Sequence, residues 1–124
     1  MNEYIKIFKA LSDKTRLRIL RVLLEANTKL CVCEITDSLQ IPYYNVSRHL
    51  KELLNANLIC EEKEGTFVMY SILNKKNGFT EKIIDLVKTI PEDEFKNDIA
   101  LLKERLSLRV DGKCVIGLNK KGDR

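Results

Sequence analysis

Residues 30 to 35 read LCVCEI, and Cys31 and Cys33, one residue apart, are the side chains of this chain best placed to do chemistry. Thiolates are preferred by soft, thiophilic ions, and a helix N-terminus favours the thiolate because its dipole and unpaired N–H groups lower a cysteine's pKa. The pair stands at such an expected terminus, ahead of the short helix read over ITDSLQ, Ile35 to Gln40. If Leu30 to Cys33 is extended, alternate side chains put both sulfurs on one face and turn Leu30 and Val32 to the core. If it is regular helix, the two sulfurs diverge by about 200°. A shared ligand therefore requires an extended entry to the helix. The plain alternative is two small, half-buried hydrophobes, a common role for cysteine.

The elements that must position these thiols are helical. Tyr4, Ile5, Phe8 and Leu11 follow helical spacing; Ser12 or Asp13 can cap a second helix whose Leu17, Leu20, Leu23 and Leu24 mark a buried face. After ITDSLQ, Pro42 suits the first turn of a helix running through YYNVSRHLKELLNAN, with Val46, Leu50 and Leu53 on its core face and Asn57 suited to the left-handed stop. LICEEKEGTFVMYSIL reads as a β-hairpin with Gly65 in its turn. Two helical stretches follow, separated at Pro91, and the second carries a Phe95, Ile99, Leu102, Leu106 seam that calls for another helix. With the first helix also amphipathic, a twofold homodimer joined through the N- and C-terminal helices is the simplest cover.

The expected fold is mainly α with a small β-hairpin, in the order of a winged helix-turn-helix: two short helices, the second entering the major groove, then the hairpin over the backbone. Residues 1–110 form one domain, with a flexible Gly- and Lys-rich tail over 111–124. On the second short helix Arg48 and Lys51 can meet phosphates or guanine edges, Asn45 and His49 can bond base edges, and Ser47 can reach a phosphate; Tyr43 and Tyr44 stand at its entry. Lys14, Arg16, Arg18 and Arg21 add charge near the second helix's start.

Composition sets the frame. In 124 residues there are 22 basic and 18 acidic side chains, a net +4, so nucleic-acid binding depends on where the cations lie. No apolar run approaches the roughly 20 residues of a membrane span, which points to a cytoplasmic protein with no membrane partner. In a reducing cytoplasm the four cysteines read as thiols or ligands. No CxxC in a βαβ unit, phosphate loop, triad or paired acid appears, so the chain is not expected to be an enzyme.

From about Ile7 to Leu73 the chain resembles the ArsR/SmtB family of metal-sensing bacterial repressors: FKALSDKTRLRILRVLL, LCVCEI, VSRHLKEL followed by ANLI, and KEGTFVMYSI look like its successive signatures. The resemblance implies a dimeric winged-helix repressor on double-stranded operator DNA, with no constitutive cofactor, that lets go when a metal or metalloid binds. LCVCE is similar to the element with which arsenic-responsive members bind As(III) or Sb(III). Alternatives of the same fold are a redox or persulfide sensor, using Cys31 and Cys33 as a disulfide pair, and a Cd or Pb sensor.

The chain departs from that pattern in several places. Thr36 stands where some arsenic-responsive members have a third cysteine, so Cys114 or Cys60 completes the set, or the pair binds alone; Cys114 is favoured, since Cys60 has a packing reason to be where it is. Members that sense zinc on the C-terminal helices use Asp and His there, and this chain has only His49. Glu61, Glu62 and Glu64 against Lys63 weigh against a phosphate contact at the wing tip.

Overall fold

The computed structural model describes residues 1–73 and 78–114. Its elements are α1 (Asn2–Leu11), α2 (Lys14–Ala26), β1 (Leu30–Cys31), α3 (Val32–Leu39), α4 (Tyr43–Asn55), β2 (Ile59–Glu64), β3 (Phe67–Ile72), α5 (Gly78–Lys88), a 3-10 turn (Glu92–Phe95) and α6 (Lys96–Leu106). The helix ends follow local chemistry. The Asp13 carboxylate accepts the Arg16 N–H at 3.0 Å and caps α2, while Asn27, Gln40 and Asn57, with φ of 50°, 55° and 57°, supply left-handed stops after α2, α3 and α4. Pro42 sits one residue ahead of α4 as its N-cap.

Two boundaries differ from the sequence reading. The first short helix begins at Val32, three residues early, and takes in Cys33. Before it, Leu30 and Cys31 form a third strand, antiparallel to Tyr70 and Met69, giving a sheet in the order β1-β3-β2. Two residues are too short a run for alternation to reveal. The hairpin matches expectation, from Ile59 opposite Ile72 to Glu64 opposite Phe67, with Gly65 at φ 61° in its turn.

The core gathers Ile19, Leu20, Leu30, Ile35, Leu50, Leu53 and Leu58 from α2 to β2. On α1 the buried residues are Ile7 and Ala10, and the expected stripe of Tyr4, Ile5 and Phe8 is exposed. Phe79 of α5 meets the Tyr4 and Phe8 rings edge-on at 4.8 and 5.8 Å, and Leu86, two turns along α5, is also exposed. The seam of α6 corrects the opposite way. Phe95, Ile99 and Leu102 are buried within the chain and Leu106 is half-buried, because α6 packs along α3 and α2. Arginine–carboxylate pairs fasten it there: Arg18 to Asp98 through two contacts of 2.8 Å, and Arg105 to Asp37 at 2.7 Å.

The expected tail does not begin at 111. Val110 and Lys113 exchange backbone hydrogen bonds of 3.0 Å across Asp111 and Gly112, whose φ values of 54° and 72° suit the tightest hairpin turn and explain the glycine. This turn folds Cys114 back to 8% exposure. The remainder of the expected tail, 115–124, lies outside the described residues. Among the described residues no helix is long and apolar enough to cross a membrane.

Candidate metal centre and nucleic-acid interface

The turn after α6 brings Cys114 onto Cys31 and Cys33. Cys31 is the extended N-cap of α3, with φ −81° and ψ 162°, and Cys33 lies in the first helical turn. This mixed backbone, neither wholly extended nor wholly helical, lets two cysteines one residue apart converge. The Cys114 Sγ is 3.1 Å from Cys31 Sγ and 3.8 Å from Cys33 Sγ, and all three sulfurs lie within 4.8 Å of one another. Sulfurs held at about 2.3 Å from one tetrahedral ion stand roughly 3.8 Å apart, so the cluster is close to a ligand set without rearrangement. None of the four cysteines is in a disulfide.

The thiols are 1%, 5% and 8% exposed, packed with Met69 and bordered by Phe67. The expectation that the helix N-terminus lowers the thiol pKa is not met at Cys31. A thiol hydrogen bond with Cys33, then burial, pushes Cys31 well up, and burial pushes Cys114 up to about 11. Cys31 and Cys114 therefore favour the protonated thiol in the ion-free protein, and a thiophilic ion would have to displace those protons.

Two arginines border the site. Arg109 makes a bidentate contact to fully buried Glu34, both distances 2.7 Å, and donates to the Lys29 carbonyl at 2.6 Å. Glu34 also accepts the Cys31 N–H at 3.1 Å. Burial pushes Glu34 up, but the Arg109 guanidinium and that N–H together hold its carboxyl below the ordinary value. Arg105, paired with Asp37, faces Cys114 and Cys33. These four residues do not stand out in the sequence; Glu34 and Asp37, three apart, share a face of α3, whereas Arg105 lies on α6 and Arg109 three residues past its end. Asp111-Gly112 was a readable turn signal.

Cys60 is kept out of the cluster by the sheet order. It lies on β2, with β3 between it and β1, and its Sγ is 3.3 Å from Ser71 Oγ. Thr36, one turn beyond Cys33, is buried, and its hydroxyl has no hydrogen-bond partner among the described residues.

On α4, Tyr43, Tyr44, Arg48 and Lys51 are exposed and Asn45 and Ser47 half-exposed, with Arg48 donating to Asn45 Oδ1 at 3.3 Å. His49 is turned differently: its Nδ1 is 3.2 Å from Arg16 Nη1 and 3.8 Å from Asp13, which ties α4 to the start of α2. Three of the four upstream cations also serve inside the fold. Arg16 donates to the Ala10 and Lys9 carbonyls, Arg18 to Asp98, and buried Arg21 to Glu25 and the Ile90 carbonyl. Lys14 is exposed. At the wing Lys29 pairs with Glu62 and, at 2.7 Å, Glu64, so those acids are partly neutralised.

Residues 13–60, from the α2 cap through the helix pair to β2, match the family model described as bacterial regulatory protein, arsR family. An uncharacterised HTH-type transcriptional regulator of Methanocaldococcus jannaschii is 41% identical over 88 residues, which cover 68% of this chain and 98% of that protein. An arsenical resistance operon repressor of Bacillus subtilis is 40% identical over 79 residues, 63% of this chain and 74% of that one. Among solved structures, HlyU from Vibrio cholerae aligns with a TM-score of 0.59 at 27% identity, covering 69% of this chain and 88% of that chain. With helix pair, wing and relatives matched over 98% and 74% of their length in agreement, the chain belongs to the ArsR family of winged-helix transcriptional regulators.

Proposed function

We propose that this protein is a homodimeric repressor that leaves its operator when As(III) or Sb(III) is bound by Cys31, Cys33 and Cys114. The observation that carries the reading is the meeting of three sulfurs within 4.8 Å, two from the entry to α3 and one from beyond α6. The 40% identical relative named as an arsenical resistance repressor supports the choice of ion. Three buried thiols match the trigonal, all-sulfur demand of a trivalent metalloid, and the ion exchanges for their protons. Ligation fixes where α3 starts relative to the turn after α6, and α3 is the first helix of the DNA-reading pair. A differential of about 1–3 kcal/mol changes operator affinity roughly 5- to 150-fold. Tyr43, Tyr44, Asn45, Ser47, Arg48 and Lys51 are the proposed DNA contacts; His49 acts by holding α4 against α2.

The test is a titration of the purified protein on its own upstream DNA with As(III), Sb(III), Cd(II) and Pb(II), read by fluorescence anisotropy, with bound arsenic counted by native mass spectrometry. One arsenic per chain and release by As(III) and Sb(III) support the reading; retention of DNA by the arsenic-loaded protein sinks it. A second reading rests on the 3.1 Å approach of Cys31 and Cys114 Sγ. Peroxide would oxidise these two thiols to a disulfide while being reduced to water, and would release DNA in place of As(III). Release by As(III) under strict anaerobiosis, with none by peroxide, decides against it.

The dimer is supported by the exposed apolar surface of α1 and α5, Tyr4, Ile5, Phe8 and Leu86. Phe8, 54% exposed and edge-on to Phe79, is its centre. Phe8→Glu is expected to halve the mass measured by light scattering at micromolar concentration and to weaken operator binding at least about tenfold, since one half-site is then held alone. An unchanged mass assigns the interface elsewhere.

A further inference from the structure

The thiol pocket contains a fourth sulfur. Met69 is 6% exposed and packs in one buried cluster with Cys31, Cys33 and Cys114, brought there because β3 pairs Met69 directly with Cys31. A groove of about 490 Å³, lined by Lys29, Phe67, Met69, Arg109, Lys113 and Cys114, leads from the surface to this cluster. The entry path therefore passes Met69. We propose, building on the thiol site above, that Met69 supplies a thioether ligand and that the same pocket takes a soft monovalent d10 cation, Cu(I), for which Ag(I) is a redox-inert probe.

The argument is one of ligand chemistry and charge. A trivalent metalloid makes three bonds and keeps a lone pair, so a fourth sulfur gives it nothing. A soft monovalent ion accepts both thiolate and thioether donors. Each thiolate adds a negative charge, and the two neighbouring arginines are already ion-paired with Glu34 and Asp37, so a complex that needs fewer thiolates costs less at this buried site. A neutral thioether adds a bond with no charge. Binding is a simple exchange: the cation forms bonds to sulfur, the displaced thiol protons leave to solvent, and no electron moves.

Ag(I) affinity is measured by competition with a chromophoric chelator in the wild type and in Met69→Leu, which keeps the buried volume and removes the sulfur. The expected result is Ag(I) binding weakened at least about tenfold with As(III) binding changed less than about twofold. Selenium-edge absorption on selenomethionine-labelled protein gives an independent readout. Of the two methionines Met1 is 85% exposed at the N-terminus, so a silver–selenium path seen in the wild type and lost in Met69→Leu places the bond at residue 69. Equal Ag(I) affinity without that path overturns the proposal. So does an equal loss of both ions, which makes Met69 a packing residue. Wild-type protein that shows the silver–selenium path yet does not bind As(III) removes the arsenic reading and upholds this one.

Discussion

Cys114→Ser is expected to leave operator binding by the ion-free protein within about twofold of wild type and to erase most of its response to As(III), from a roughly 5- to 150-fold loss of affinity to less than about twofold. The reason is where the ligands come from. Cys31 and Cys33 sit side by side at the junction of β1 and α3, so an ion held by them alone would tie that junction only to itself. Of the three proposed ligands Cys114 is the one that comes from beyond α6, and through it ligation would tether the C-terminal turn to the helix pair. Cys60→Ser, across β3 from the cluster, is the matched control and should behave as wild type. Anisotropy on a labelled operator, with arsenic content measured in parallel, separates a failure to bind from a failure to respond. Cys114→Ala repeats the test without a buried hydroxyl, whose unmet hydrogen bond costs about 1–3 kcal/mol. Full release of either Cys114 variant at the wild-type As(III) concentration would remove this cysteine from the site.

The placement of Cys114 beside Cys31 and Cys33 marks the limit of what local sequence rules can place. The second helix of the pair, the wing and the left-handed stop at Asn57 follow from local rules of capping, spacing and turn chemistry and stand in the structure close to where those rules put them, while the first helix begins three residues early. What required the fold was long-range. Cys31 and Cys114 are 83 residues apart, and only the packing of α6 along α3 decides that they meet. The same packing reversed the reading of α6, whose Phe95, Ile99 and Leu102 look like an interface in isolation and are interior in context. The basic residues of α2 were read as a DNA-facing cluster, because charge on a helix says nothing of the carboxylate across the core; Arg18 finds Asp98 at a separation of 80 residues. Three of those cations thus have partners inside the fold, while Lys14, Arg48 and Lys51 are exposed around the helix pair.

Arg109→Leu is expected to cost about 3–5 kcal/mol of stability, a large part of the roughly 5–15 kcal/mol that holds a small domain together. Glu34 is completely buried, and its two contacts of 2.7 Å to Arg109 are what make an ionised carboxylate tolerable beside the core. With the guanidinium gone, the Cys31 N–H is left to hold the carboxylate, which must then be protonated or pull in water. The same side chain also holds the Lys29 carbonyl at 2.6 Å and the Gly112 carbonyl at 3.3 Å, and so it clamps both the strand that carries Cys31 and the turn that carries Cys114. Urea unfolding at fixed protein concentration measures the loss, since the midpoint of any self-associating protein shifts with concentration. Pairing the change with Glu34→Gln should recover at least about half of it, because most of the penalty is the stranded charge and not the missing contact. If Arg109→Leu alone costs under about 1 kcal/mol, in the range of an exposed ion pair, the Glu34 carboxylate is reached by water and the clamp is not what fixes the thiols.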